Sequence, residues 1–348
     1  MSKTIVVVGA TGEMGSRVCR LIRRLAPTAL LVGTNRSGRG HAELPIHQLE
    51  VADREGMAAL LTTADLVINA VGPYTYDPAP LVHAAISSRC HYADLSEQLA
   101  FVERVREVGE QRAAAKAGVL VLPGCSTVPG LVDVLAQRWQ GDSEVAGLRV
   151  FLSMGSRNPV TRALLSSLLQ PIGRKGPSGR WFDKLVAHEV LDGRELYFGP
   201  YPVPFSNGQV RLGQRLLPIH FHMGFDRRAL NRMLALAAPM LGRLSPRWVE
   251  RFASIALPVA KLARNLGTER GILSVVAEDA DGRERGRTEV IAETAGLDIP
   301  ALPAAWLTQA LVREGWAAAP GVRSLSRVID AQQAAVALVE AGYAVQIR

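Results

Sequence analysis

Three glycines at positions 9, 12 and 15, in the run Gly9-Ala10-Thr11-Gly12-Glu13-Met14-Gly15, follow the apolar Ile5-Val6-Val7-Val8 and lead into a helical pattern. Glycines at this spacing permit a tight strand-to-helix bend, let backbone N–H groups approach a pyrophosphate, and allow helix and sheet to pack closely. The helix N-terminus adds partial positive charge. The chemistry implied is dinucleotide binding, because larger side chains would hold the phosphates off. Ordinary strand-helix turns use glycine too, but a triplet directly after a β-branched strand favours the nucleotide.

An NAD enzyme places Asp or Glu about 20 residues beyond such a loop to hold the ribose hydroxyls. This chain has Gly33-Thr34-Asn35-Arg36-Ser37 there, and its next acid is Glu43. A guanidinium pairs with a 2′-phosphate and stacks on adenine, whereas a carboxylate repels that phosphate. The expected cofactor is therefore NADP(H). Further on, Asn69-Ala70-Val71-Gly72-Pro73-Tyr74 sets small residues, stiffened by Pro73, where the chain can pass close to a nicotinamide ribose. Pro123-Gly124-Cys125-Ser126-Thr127 repeats the small-plus-polar composition. The expected cofactor contacts are thus Gly9, Thr11, Gly12, Glu13, Met14 and Gly15 in the first loop, and Asn35, Arg36 and Ser37 in the second. Ala70, Val71, Gly72, Pro73, Gly124, Cys125 and Ser126 complete the set.

For proton delivery the candidates are Tyr74, Tyr92 and Asp94, with His222 as an outsider. Asp94 could equally cap the helix that follows it. Other chemistries lack their residues: there is no Tyr-x-x-x-Lys pair after the sheet, no His-Glu-x-x-His and no paired-cysteine zinc spacing. No metal is expected. His220 and His222 lie two apart on a strand pattern, hence on one face, and without a third ligand they read as packed histidines. Asp53 reads as the N-cap of a helix.

The elements that must carry these residues alternate. Strand-like runs at 5–8, 30–33, 46–49, 66–70, 91–93 and 119–122 are separated by helical patterns at about 13–25, 54–62, 78–88 and 98–117. That alternation predicts a doubly wound parallel sheet, with ligands beyond the carboxyl ends of its strands. A further helix is expected over 129–140. Strands are then expected at 148–154 and 215–223, and a hairpin at 272–278 and 287–292 around Asp279-Ala280-Asp281-Gly282. The run Gly173 to Gly179 reads as a basic surface loop. Residues 229–266 are helical, broken by Pro239, Pro246 and Pro258, and rich in both apolar and basic residues. They fit buried helices lining a greasy substrate pocket, a dimer interface, or a basic amphipathic surface resting on a membrane, with the pocket favoured. The segment after 303, ending in a helix and strand, is expected to rejoin the first domain.

The 348 residues can form two domains, and 48% hydrophobic with 21% charged residues is the balance of a globular protein. Cys19, Cys90 and Cys125 cannot all pair and fit no metal spacing, and no signal peptide is visible, so a cytoplasmic location is expected. The net charge of +8 comes without a block of like charges, which argues against nucleic acid and for a phosphorylated cofactor or an acidic substrate.

With these residues assembled, the chain resembles the saccharopine dehydrogenase-like oxidoreductases, and among them the short members grouped with trans-acting enoyl reductases. The likeness rests on Gly9 to Gly15, Val67 to Tyr74, His91-Tyr92-Ala93-Asp94-Leu95-Ser96-Glu97, and Leu122 to Ser126, with further similarity around Gly321-Val322. It implies a Rossmann domain over 1–130 and about 303–348, interrupted by an α+β substrate and dimerisation domain over 131–302 with a mixed or antiparallel sheet, in a homodimer. The leading functional expectation is an NADPH-dependent oxidoreductase reducing an activated C=C bond of a hydrophobic, lipid- or polyketide-like substrate. A second is an imine or amino-acid dehydrogenase, whose substrate carboxylates would meet Arg157, Arg162 or Arg174. A third, of another class, is a non-catalytic NADP-binding sensor or accessory subunit of a synthase.

Overall fold

The computed structural model describes residues 2–40, 44–159, 161–176, 179–263, 267–313, 315–316 and 318–348. The chain divides into two units, Met1–Val134 with Asp298–Asp330, and Leu135–Leu297 with Ala331–Arg348.

In the first unit the elements are β1 (Thr4–Val8), α1 (Glu13–Leu25), β2 (Leu30–Asn35), β3 (Ile46–Gln48), α2 (Arg54–Leu61), β4 (Leu66–Asn69), α3 (Ala79–Ser87), β5 (His91–Asp94), α4 (Leu99–Gln111) and β6 (Leu120–Leu122). β1 and β4 are buried along nearly their whole length, which is why they read as unbroken apolar runs. α1 turns Val18, Leu21 and Ile22 inward and Arg20, Arg23 and Arg24 outward. Asp53 caps α2 as expected, accepting from Gly56 N at 3.0 Å. α4 stops short of the expected residue 117: Ala113 takes φ +49° and Ala114 N donates back to Gly109 O at 3.0 Å, the left-handed ending of a Schellman motif. The stretch expected as one helix over 129–140 opens as a π-helix, Thr127–Val132, continues as α5 (Asp133–Ala136), and closes as a 3-10 turn.

The first sheet is wholly parallel, and its order turns back between β1 and β4: β6, β5, β4, β1, β2, β3. Register aligns Thr34, Val8, Asn69 and Asp94 in one row across four strands at the carboxyl edge. Ligands of such sheets bind beyond that edge, at the reversal point.

The second unit contains β7 (Gly147–Met154), α6 (Arg162–Leu169), β8 (Lys175–Gly176), β9 (Gly179–Arg180), β10 (Val186–Glu189), β11 (Glu195–Tyr201), β12 (Gln209–Leu212), β13 (Arg215–Phe225), α7 (Arg228–Leu241), α8 (Pro246–Ala263), β14 (Gly271–Glu278) and β15 (Glu284–Ala292). The chain then returns to the first unit with α9 (Leu302–Arg313) and β16 (Gly321–Val322), and ends in the second with α10 (Ala331–Glu340) and β17 (Ala344–Ile347). The second sheet is mixed. β13 and β7 are parallel, the other pairings antiparallel, in the order β10, β11, β13, β7, β14, β15, β17, and β12 pairs with β13. The β14–β15 turn is the expected one, with Asp279 Oδ1 accepting from Asp281 N and Arg283 N, and Gly282 at φ +77°. The basic loop forms the small β8–β9 ribbon; Pro177 and Ser178 lie outside the described residues.

Two expectations are corrected. The terminal helix and strand do not rejoin the first sheet: β16 already occupies its edge beside β6, and β17 pairs antiparallel with β15. α7 and α8 are not wholly buried pocket walls, because Met233, Leu236, Met240, Trp248 and Ile255 are exposed.

Candidate functional site

The glycine loop is built by mutual proximity. Gly9 takes φ +79°, and its N–H and that of Ala10 donate to the Thr34 carbonyl at 3.0 and 3.1 Å, tying the loop to the end of β2. A Cβ on Gly9 would meet the Val71 side chain at 2.8 Å, and one on Gly15 the Gly9 carbonyl oxygen at 2.1 Å. The loops after β1 and β4 therefore touch, and α1 packs onto the loop that starts it. Gly12, the N-cap of α1, supplies no side-chain cap, so the first-turn N–H groups stay open to an anion. Glu13 would oppose that anion, but its Oε1 accepts from Arg17 at 2.9 and 2.6 Å, and Arg17 also binds Asp298 at 2.6 Å. Thr11 and Gly12 are exposed, and Met14 half-buried.

Asn35 shapes the next loop. Its Oδ1 accepts from Ser37 N and Gly38 N at 3.0 and 2.7 Å, while its Nδ2 donates to Thr11 Oγ1 and the Arg39 carbonyl at 3.0 and 2.6 Å. Asn35 is thus a spacer that joins the two loops. Arg36 is exposed in this turn, and so is Arg39, which sequence reasoning missed. The signal was its place three residues on, in a stretch, 34–42, with no acid. Open backbone at Gly12, an uncapped helix start and two arginines beyond β2 fit an adenine dinucleotide carrying a 2′-phosphate.

Beyond β4, the Asn69 side chain accepts from Val71 N at 3.2 Å and Tyr76 Oη at 3.0 Å and donates to Tyr92 Oη at 3.3 Å. Tyr74 Oη donates to the Asn69 carbonyl at 3.1 Å, and the rings of Tyr74 and Tyr76 stand edge-on to Phe101 at 4.9 and 5.4 Å. Gly72 is exposed, with Ala70 buried and Val71 and Pro73 half-buried around it. Beyond β5, Asp94 caps no helix. Its Oδ1 accepts from Ser96 N at 2.9 Å and Gly124 N at 3.0 Å, so it pins the β6 loop, and Oδ2 is buried. Burial pushes this carboxyl up to about 6, against the lowering effect of the two N–H groups. Glu97 Oε1 accepts from Ser126 Oγ, Thr127 N and Val128 N at 2.9, 2.9 and 3.3 Å, holding the start of the π-helix.

Among the three proton-donor candidates, Tyr92 and Asp94 are 0% exposed and Tyr74 is half-buried. Burial, then the neighbouring Asp94, raises both phenols well above their ordinary range. Cys125 and Ser126 turn their side chains inward, the thiol toward the Leu122 carbonyl and the hydroxyl toward Glu97, and both residues, like Gly124, are buried with their N–H groups already bonded, so the structure does not present them as open cofactor contacts. In the second unit His220 is exposed, and His222 stacks on Phe151 at 5.1 Å, its pKa lowered to about 4 by burial and then by Arg149. Among the described residues no three His, Cys, Asp or Glu side chains form a metal cluster.

Residues 5–122 match the model of the saccharopine dehydrogenase NADP-binding domain. A probable mitochondrial saccharopine dehydrogenase-like oxidoreductase of Arabidopsis thaliana is 26% identical over 176 residues, covering 44% of this chain and 38% of its own. A trans-acting enoyl reductase of Mycobacterium tuberculosis is 24% identical over 198 residues, 47% of each chain. The matches thus span less than half the length of these relatives. In fold, the apo saccharopine dehydrogenase (L-Glu forming) of Saccharomyces cerevisiae superposes with a TM-score of 0.64 at 13% identity, covering 100% of this chain and 99% of its own. Residues 5–122 are thus similar to the saccharopine dehydrogenase NADP-binding domain, and the chain as a whole is similar in fold to saccharopine dehydrogenase.

Proposed function

We propose that this chain is an NADPH-dependent oxidoreductase that reduces an activated carbon–carbon double bond in a small hydrophobic substrate. The observation that carries the reading is the open glycine loop joined through Asn35 to a turn bearing Arg36 and Arg39. NADPH, when bound, supplies the hydride. The chain's own residues hold the diphosphate on the α1 N-terminus and the 2′-phosphate between guanidinium groups, while the loops anchored by Asn69, Asp94 and Glu97 position the nicotinamide. Tyr74, partly exposed, is the proton donor in this proposal; Tyr92 and Asp94 position its loop and the next.

The double bond is favoured over an imine by the likeness to trans-acting enoyl reductases. The imine reading needs free arginines for substrate carboxylates, and Arg174 already donates to the Gln170 carbonyl at 2.7 Å. The test is NADPH oxidation by the purified chain with enoyl thioesters against lysine-derived imines. Turnover confined to the enoyl panel is expected. Turnover confined to imines overturns the substrate class, and tight NADPH binding with no turnover on either panel points to the non-catalytic reading.

A further inference from the structure

We propose that the α7–α8 pair is a docking surface for an anionic lipid bilayer. Large apolar side chains stand in solvent on both helices. On α7, Met233, Leu236 and Met240 are 57%, 84% and 52% exposed, and their spacing of three and four residues lines them up as one stripe. On α8, Trp248 and Ile255, seven residues apart on one face, are 56% and 76% exposed. A four-residue turn, 242–245, joins the helices.

Charge selects the occupant. Arg232 and Arg243 are exposed along the first stripe, and Arg247, Arg251 and Lys261 are exposed on the second helix, where Arg251 lies 4.9 Å over the Trp248 ring. From residue 227 to 261 the only acid is Glu250. A second copy of this chain would set like charge against like charge; an anionic headgroup layer complements it. Aliphatic side chains beside a tryptophan and arginines are the composition of a surface that enters the interface of a bilayer. No helix among the described residues is long and apolar enough to cross one, so the contact is interfacial.

The inference rests on this surface alone and is read out without cofactor or turnover. The full chain is floated with vesicles of phosphatidylcholine, and of phosphatidylcholine with phosphatidylglycerol. Binding is expected only with the anionic vesicles, with Trp248 fluorescence shifting to the blue and the Trp248→Phe variant losing that shift. Arg232→Gln should weaken binding about fivefold, and the double variant Leu236→Gln/Ile255→Gln roughly tenfold or more, both with unchanged circular dichroism. Added salt should release the protein. No binding to anionic vesicles, or equal binding by the double variant, overturns the proposal. So does a wild-type dimer that the double variant dissociates while vesicles are ignored, which assigns the surface to a second copy.

Discussion

Gly15 sits so close beneath Gly9 that a methyl group on it would lie 2.1 Å from the Gly9 carbonyl oxygen, whereas one on Gly12 would lie 3.2 Å away. The two positions therefore separate fold from function. Gly15→Ala must displace backbone, and its melting temperature should fall by several degrees, as expected for a loss of about 1–3 kcal/mol from overpacking. Gly12→Ala should lose less, about 1 kcal/mol for an alanine N-cap, yet bind NADPH roughly tenfold more weakly, because its methyl occupies the approach to the open N–H groups. Thermal melts paired with NADPH titrations check both, and a Gly12→Ala protein of full affinity would place the diphosphate elsewhere.

Arg36 and Arg39 share the turn organised by Asn35. A charge-assisted hydrogen bond contributes about 1.5–3 kcal/mol, so Arg36→Ala should cost NADPH about tenfold to a hundredfold in affinity and NADH little. Arg39→Ala should act in the same direction, and Arg36→Asp should favour NADH. Equal affinity of the wild type for both cofactors would remove the role of the guanidinium groups.

The strands of the first sheet could be read directly because burial on both faces leaves an apolar signature in β1 and β4. Partnering is not written locally. Nothing in Tyr343 to Ile347 says that its neighbour is β15, a strand more than fifty residues earlier in the chain. Depth is equally hidden: alternation puts Tyr92 and Asp94 on one side of β5, but only the packed unit shows that neither reaches solvent. Arg39 enters the site through the fold of a turn around one amide. The apolar content of α7 and α8 was plain, yet composition does not say which helix face the rest of the chain covers.

Asp94 makes a pH prediction. Its folded pKa of about 6 lies above the ordinary carboxyl value of about 3.9. Between those values the folded chain holds a proton that the unfolded chain has lost, so stability falls as pH rises from roughly 4 to 6 and stays lower above. The effect is at most about 3 kcal/mol. Asp94→Asn keeps an acceptor for Ser96 N and Gly124 N and should flatten that slope in urea unfolding followed across pH. Asp94→Ala leaves both N–H groups without their acceptor and should lose about 2–4 kcal/mol below about pH 4, a deficit that narrows toward pH 6 as the wild type gives up the contribution of its protonated carboxyl. An unchanged slope in Asp94→Asn would mean that the carboxyl ionises at its ordinary value.

Tyr74 and Tyr92 are separated by the proposed proton transfer, which assigns the donor role to Tyr74 alone. Tyr92 Oη receives a hydrogen bond from Asn69 and is fully buried, so Tyr92→Phe should lower stability by about 1 kcal/mol and leave the pH profile of kcat in place. Tyr74→Phe removes the phenol of a half-buried residue and, on the proposed donor role, should reduce kcat about a hundredfold with NADPH affinity retained, within the range for loss of a general acid. Because Tyr74 Oη also bonds the Asn69 carbonyl, a purely structural role would instead move NADPH affinity and melting temperature together. Steady-state kinetics and cofactor titration on the same preparation separate the two. Full turnover in Tyr74→Phe would pass the donor role to solvent.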